Sequence, residues 1–407
     1  MKRVVVVGAG IAGLRAAEAL RSAGYDGRLT LVGAEEEEPY DRPPLSKEVL
    51  TGTRAPEFAY LRDRAHFVQL DIDVLLGATA KSLDLSRRSV TVDGSALPFD
   101  GLLIATGSAP RTLPAAERLE GVHVLRSLAD ARAVRAALEG SPRVVIVGAG
   151  FIGGEVAAAA RGRGLEVTIL EAQAAPLVRV LGEQMGAACA GLHRDHGVPV
   201  ITGAAVAALE GDGRVERVRL ADGSAIDADL VVVGIGVAPE VGWLAGSGLT
   251  LDDGVLCDAG LNAGAPGVFA AGDAVRWPNR LFGVTMRCEQ WTNAVEQGRH
   301  AAANMLAGPD GAAPFAGSNY FWSDQYGIRI QFAGIPSSDS VQLVSGDLGE
   351  HRFLALYRGG ERLVGALAMR APRELMRAKL LIERGTAWHA ALAELAGAEA
   401  PARVALP

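Results

Sequence analysis

The sequence predicts an α/β protein in which one strand–turn–helix design occurs twice and a smaller α+β domain closes the chain. Three observations carry that prediction. VVVVGAGIAG at residues 4–13 recurs as VVIVGAGFIGGE at residues 144–155, in the same register of apolar run, G-x-G-x-x-G and helical pattern. The 407 residues are too many for one ordinary core. From about residue 311 the pattern changes to alternating strands, with Gly359 and Gly360 as a hairpin turn signal between two apolar runs.

Each copy reads as a Rossmann-like, dinucleotide-binding unit. A buried parallel strand ends in a tight turn, where Gly8 and Gly10, or Gly148 and Gly150, let the backbone approach a pyrophosphate. Gly13 or Gly153 then allows close helix packing. The helices that follow, LRAAEALRSAG and EVAAAARGRG, offer free N–H groups and a positive dipole end to the phosphates. A second strand closed by acid comes next, LTLVGAEEEE in the first unit and EVTILEA in the second. Glu35 lies 27 residues after Gly8 and Glu171 lies 23 after Gly148, close to where a carboxylate accepts from ribose hydroxyls. An acid there, rather than an arginine, favours NAD over NADP at the second site. FDGLLIATGSAPR (99–111) and GAPGVFAAGDAV (264–275) each read as a β run followed by a glycine turn. EQWTNAVEQGRHAAANML has the spacing of an ordinary packed helix. NYFWSDQYGIRIQFAG, SVQLVSGD and HRFLALYRGGERLVGALAM read as strands, and PRELMRAKLLIERG as the helix after them.

Composition excludes several functions. A formal net charge of −7, with no block of Lys and Arg to offset it, argues against a nucleic-acid binder. Cys189, Cys257 and Cys288 are far apart and odd in number, so they give neither a disulfide framework nor metal-ligand spacing. The start, MKRVVVVGAGIAGL, does not read as a signal peptide, because glycines interrupt its apolar run at a spacing that nucleotide binding explains. No window approaches the roughly 18 continuous apolar residues of a membrane span. The expectation is a cytoplasmic protein.

The ATG at 105–107 and the GD at 272–273 resemble signatures of flavoproteins with two dinucleotide-binding domains. That resemblance implies FAD in the first unit and NADH in the second, the NADH domain (109–235) being inserted into a discontinuous FAD domain (1–108 and 236–310). Residues 311–407 would be a C-terminal domain of interface or dimerisation type, in a monomer or homodimer. Asp273 would bond the FAD ribityl and phosphate region, and ADLVVVGIGVAPE, with Gly236 against the nicotinamide nucleotide, would mark the exit from the insertion. PYDRPPLSK (39–47), LRSLADA (125–131), CEQWTNAVEQGRHAA (288–302) and FWSDQYGIRIQFAG (321–334) are more specific. They are similar to motifs of NADH-dependent, FAD-containing ferredoxin reductases of cytochrome P450 and Rieske-oxygenase systems, over nearly the whole chain.

By that resemblance Lys47 would sit by flavin N5 and pair with Glu155, a carboxylate that also positions the nicotinamide amide; both are the implied catalytic residues. A loop lysine and an acid complementing a helix dipole explain the same residues blandly. The FAD site would further include Ala12, Ala34, Arg42, Ala80, Thr106, Gly107, Arg111 and Arg126. Gly272, Glu289, Trp291 and Trp322 complete it, the backbone near Trp291 bonding flavin O2 and Trp322, Asp324 and Gln325 lying near the ring. A tryptophan in a hairpin core with turn-forming neighbours explains the last three as well. The NADH site would add Phe151 and Ile152. Two departures stand out. Ala34 replaces an aspartate common in relatives, leaving the ribose to Glu35, and Gly327 replaces a larger or acidic residue. Glu36, Glu37 and Glu38 read as a solvated run.

RPPLSK stands where disulfide-reducing relatives carry a cysteine, and Cys288 reads as structural. Electrons therefore leave the flavin by another route, and the resemblance implies hydride from NADH to N5 followed by two one-electron transfers to a 2Fe-2S ferredoxin. Arg370, Arg373, Arg377, Lys379 and Arg384 form a basic region that would steer an acidic ferredoxin; a solvated helix face accounts for it equally well. A rubredoxin or other carrier reductase, or an NADH-sensing flavoprotein of apoptosis-inducing-factor type, is the alternative.

Overall fold

The computed structural model describes residues 1–114, 116–336 and 339–395. The chain divides into two compact units, one of residues 1–41, 59–109 and 238–319, the other of residues 42–58, 110–237 and 320 onward.

The first unit is built on a five-stranded parallel sheet. Its order is Val268–Ala270, Gly101–Ile104, Arg3–Val7, Arg28–Val32, Ile72–Leu75. Val4 to Val7 are at most 3 % exposed, because helices cover both faces of a parallel strand and leave no polar side to alternate. The helix Ile11–Ser22 packs on the long helix Trp291–Gly311 so closely that a Cβ on Gly298 would fall 2.3 Å from Ala12 O. Gly308, with φ +69 just before Pro309, kinks the last turn of the long helix.

The second unit repeats the plan. Its parallel sheet runs Val200–Thr202, Val167–Glu171, Val144–Val147, Leu230–Val233, Val122–His123. In both sheets the strand entering the glycine turn is central, so the turn opens at the carboxyl end of the sheet, where α/β folds bind ligands. This unit also contains an antiparallel sheet ordered Tyr320–Gln325, Ile328–Gly334, Arg362–Met369, Arg352–Gly359, Ser340–Asp347. The Gly359–Gly360 signal is the turn between the third and fourth of these, with Gly360 at φ +58. The helix Pro372–Glu383 packs on the sheet through Leu375, Ala378, Leu381 and Ile382. No helix among the described residues is long and apolar enough to cross a membrane.

Candidate active site

The two glycine turns have the same geometry, and their glycines serve different ends. Gly8 has φ +114, and a Cβ there would fall 2.1 Å from Ala105 O; a Cβ on Gly13 would fall 1.9 Å from Gly8 O. Gly148 and Gly153 are fixed likewise, by Gly234 O at 2.3 Å and Gly148 O at 2.2 Å. The chain's own backbone demands these four. Gly10 is different: its φ is −70, which any residue adopts, and nothing lies within 4 Å of its Cβ position. Gly150, at φ −77, meets only Gly234 O at 3.9 Å. No packing or backbone requirement explains these two, whereas close approach of a nucleotide phosphate does.

Helix ends agree. Ile11–Ser22 and Phe151–Gly162 start on Gly10 and Gly150 with no side-chain cap and no acid in the first turn. Two other helices close their own ends: Asp63 accepts the His66 N–H, and Ser127 forms a capping box with Asp130. The first turns of the two glycine helices thus keep N–H groups for an anion, and the residues fit dinucleotide phosphates at both turns.

Around the first turn, Glu35 accepts the Tyr40 hydroxyl, and Ser108 Oγ donates to Asp273 at 2.7 Å. Gly272, at φ +82, gives its N–H to Gln297 Oε1. Thr106 Oγ1 donates to Glu240 O, and Gly107 O takes the Glu240 N–H. The long helix does begin at Trp291, whose indole N–H donates to Asp41 Oδ1 at 2.5 Å. Glu289 pairs with Arg287, Ala80 starts the strand Ala80–Asp84, and Ala34 is exposed. The glutamate run is less solvated than its composition implies. Glu37 accepts the Tyr60 hydroxyl and Glu38 lies 3.9 Å from Arg64, because the chain folds back along residues 60–64; only Glu36 and Ala34 are exposed there.

In the second unit both oxygens of Glu171 accept backbone N–H groups, from Ala149 in the glycine turn and from Gln173. Ile152 is 46 % exposed at the turn, whereas Phe151 packs on Phe321 with ring centroids 4.7 Å apart. Gly236 has φ +97, and Arg111 donates to Val237 O. Arg42 Nη1 donates to Arg126 O at 2.5 Å, so two residues expected at one cofactor are neighbours. Trp322 stacks beside Tyr320 and Asp324 pairs with Arg329. Lys379 of the basic region is tied to Glu383 and Arg377 to Glu394 O, which leaves Arg370, Arg373 and Arg384 as the freer charges of that region.

The centre of this unit is a buried ion pair. Lys47 Nζ donates to Glu155 Oε2 at 2.7 Å, their side chains being 14 % and 2 % exposed. Ser46 Oγ donates to the same oxygen; Ser323 Oγ, at 2.7 Å, and the Asp324 N–H, at 3.3 Å, serve Oε1. A buried charge is tolerable only when its partners are complete, and here they are. The family resemblance singles out Lys47 and Glu155 but not Ser46 and Ser323, although each serine adjoins a residue named in RPPLSK or FWSDQ. All three cysteines are buried and unpaired. Burial pushes the Cys189 thiol up to about 12, and burial with Asp273 nearby pushes Cys288 well above its ordinary value, so neither offers a thiolate.

Two parallel sheets, each with an uncapped glycine turn, define a protein of the class that binds two dinucleotides. Residues 2–298 match the pyridine nucleotide-disulphide oxidoreductase family and residues 320–402 the reductase C-terminal family. The chain belongs to the pyridine nucleotide-disulphide oxidoreductase family. It is 40 % identical over 382 residues to the ferredoxin–NAD(+) reductase component of the biphenyl dioxygenase system of Paraburkholderia xenovorans, covering 93 % of this chain and 92 % of that one. It is 38 % identical over 387 residues to the corresponding component of the anthranilate 1,2-dioxygenase system of Burkholderia cepacia, covering 94 % of both. Among solved structures, the covalent putidaredoxin reductase–putidaredoxin complex superimposes with a TM-score of 0.91 at 33 % identity, covering 98 % of this chain and 99 % of that one.

Proposed function

We propose that this protein is an FAD-dependent NADH:ferredoxin oxidoreductase serving a cytochrome P450 or Rieske oxygenase. One observation carries the reading: Lys47 pairs with Glu155, 108 positions away and buried on the helix of the second glycine turn, in a chain whose cysteines are all buried. FAD, when bound, accepts hydride and releases electrons singly, so no thiol relay is required. The first glycine turn, with Glu35 at the ribose and Asp273 towards the ribityl chain, holds FAD; the second, with Glu171, holds NADH. Residues 1–108 and 236–310 serve the former and 109–235 the latter, with 311–407 as the interface domain. Lys47 supplies a fixed positive charge for electron density on the reduced ring, and Glu155 orients both Lys47 and the nicotinamide amide.

Cytochrome c reduction by NADH, followed with and without added 2Fe-2S ferredoxins, tests the assignment. Fast turnover only with an iron–sulfur partner is expected. Flavin that NADH reduces but that no carrier reoxidises would instead favour an NADH-sensing role.

A further inference from the structure

The Lys47–Glu155 pair is held from two directions. Lys47 and Ser46, at the end of the Pro43–Ser46 turn, serve Oε2 of Glu155, while Ser323 and the Asp324 N–H, on the strand Tyr320–Gln325, serve Oε1. A carboxylate gripped on one oxygen can swing about its last bond. Gripped on both, it cannot.

The chemistry of the members fixes the direction of the chain. Gln325 Nε2 lies 3.1 Å from Ser323 Oγ, and an amide N–H only donates. Ser323 therefore gives its single proton to Glu155, whose oxygens only accept. Ser323 and Gln325 are 0 % and 2 % exposed, so water cannot take over either part. Each bond polarises the next towards the carboxylate. The glycine at 154 belongs to the same arrangement: a Cβ there would fall 2.7 Å from Gln325 Nε2, so only glycine lets the amide lie on the nucleotide-binding helix.

We propose that Ser323, backed by Gln325, is a positioning residue for hydride transfer: it clamps Oε1 of Glu155 so that Oε2 stays fixed on Lys47. The inference rests on the oxidoreductase reading and deepens it, because a strand of the C-terminal sheet, rather than the nucleotide-binding elements alone, aims the ammonium group.

Ser323→Ala in the FAD-loaded full chain tests it. Stopped-flow reduction of the flavin by saturating NADH, without any iron–sulfur partner, is expected to slow roughly tenfold to hundredfold, the cost of a small misplacement, with little change in NADH half-saturation. In a Glu155→Gln background the same substitution is expected to add almost nothing, because Ser323 acts through that carboxylate. Wild-type rates in the single variant, or fully multiplicative slowing in the double variant, would overturn the proposal. A crystal structure of Ser323→Ala gives a readout besides rate: Glu155 turned and Lys47 out of hydrogen-bond reach support it, and an unchanged pair refutes it. Should Ser323→Ala not fold, Gln325→Met removes only the donor behind the serine; a weaker slowing that vanishes with Glu155→Gln is expected, and wild-type rates would overturn the idea. Wild-type protein that NADH cannot reduce at all would refute the oxidoreductase reading instead, so the two failures are distinguishable.

Discussion

Gly8 and Gly10 stand two residues apart and are glycine for opposite reasons. Gly8→Ala would put a Cβ on Ala105 O at a φ of +114, so the variant should fail to accumulate as folded protein. Gly10→Ala meets no atom and no backbone strain. It should fold with a melting temperature near wild type yet purify with little flavin, as absorbance at the flavin bands would record. Full flavin content in Gly10→Ala would remove the ligand argument for the first turn. Glu171 makes a second test. Loss of a charged hydrogen-bond acceptor costs about 1.5–3 kcal/mol, so Glu171→Ala should lower the preference for NADH over NADPH by at least roughly tenfold, measured as the ratio of kcat/KM values. The spacing of the motif identifies all six glycines, but it cannot distinguish those answering to a carbonyl across the turn from those answering to a ligand.

Helices legible from their periodicity differ in how they begin. Asp63 and the Ser127–Asp130 box close their own helix ends, whereas Phe151–Gly162 starts bare. Ile152, exposed in that first turn, is a place to set packing against binding. Ile152→Asp adds a carboxylate at the positive end of the dipole, worth about 0.3–1 kcal/mol to the helix. The variant should therefore melt no lower than wild type, keep its flavin, and bind NADH several-fold more weakly in calorimetric titration. Unchanged NADH affinity would exclude this helix end as a phosphate site. The segment 35–47 shows the limits of reading composition. Its prolines and lysine indicate an extended path ending in a functional residue, yet the glutamates looked solvated, and Tyr60 and Arg64 claim two of them only because the chain folds back.

Stability against pH belongs to the folded chain as a whole. His193 is 7 % exposed, its Nδ1 is 2.9 Å from Tyr326 Oη, and burial, with His196 and Arg194 adding repulsion, lowers its pKa to about 4. The neutral form is favoured in the native state, while the unfolded chain binds a proton below its ordinary 6.5. The stability is thus fully present above pH about 6.5 and is lost as pH falls towards 4, by about 3 kcal/mol in all. His193→Gln should flatten that stretch of the melting-temperature profile, read by circular dichroism. An equally steep decline in the variant would place the acid sensitivity elsewhere.

Local chemistry explains what could be read without coordinates. A glycine turn, an apolar run, a Gly-Gly hairpin and an acid closing a strand each depend on contiguous residues, so the duplicated nucleotide units and a C-terminal α+β domain with a hairpin were legible. Lys47 and Glu155 were legible too, through resemblance, but their clamp was not. The lysine and Ser323 lie 108 and 168 residues from the glutamate, and nothing in RPPLSK or FWSDQ states that two serines from separate segments share one carboxylate. Hydrogen-bond partners are chosen by proximity and by the need to satisfy a buried charge. Folding alone creates both conditions.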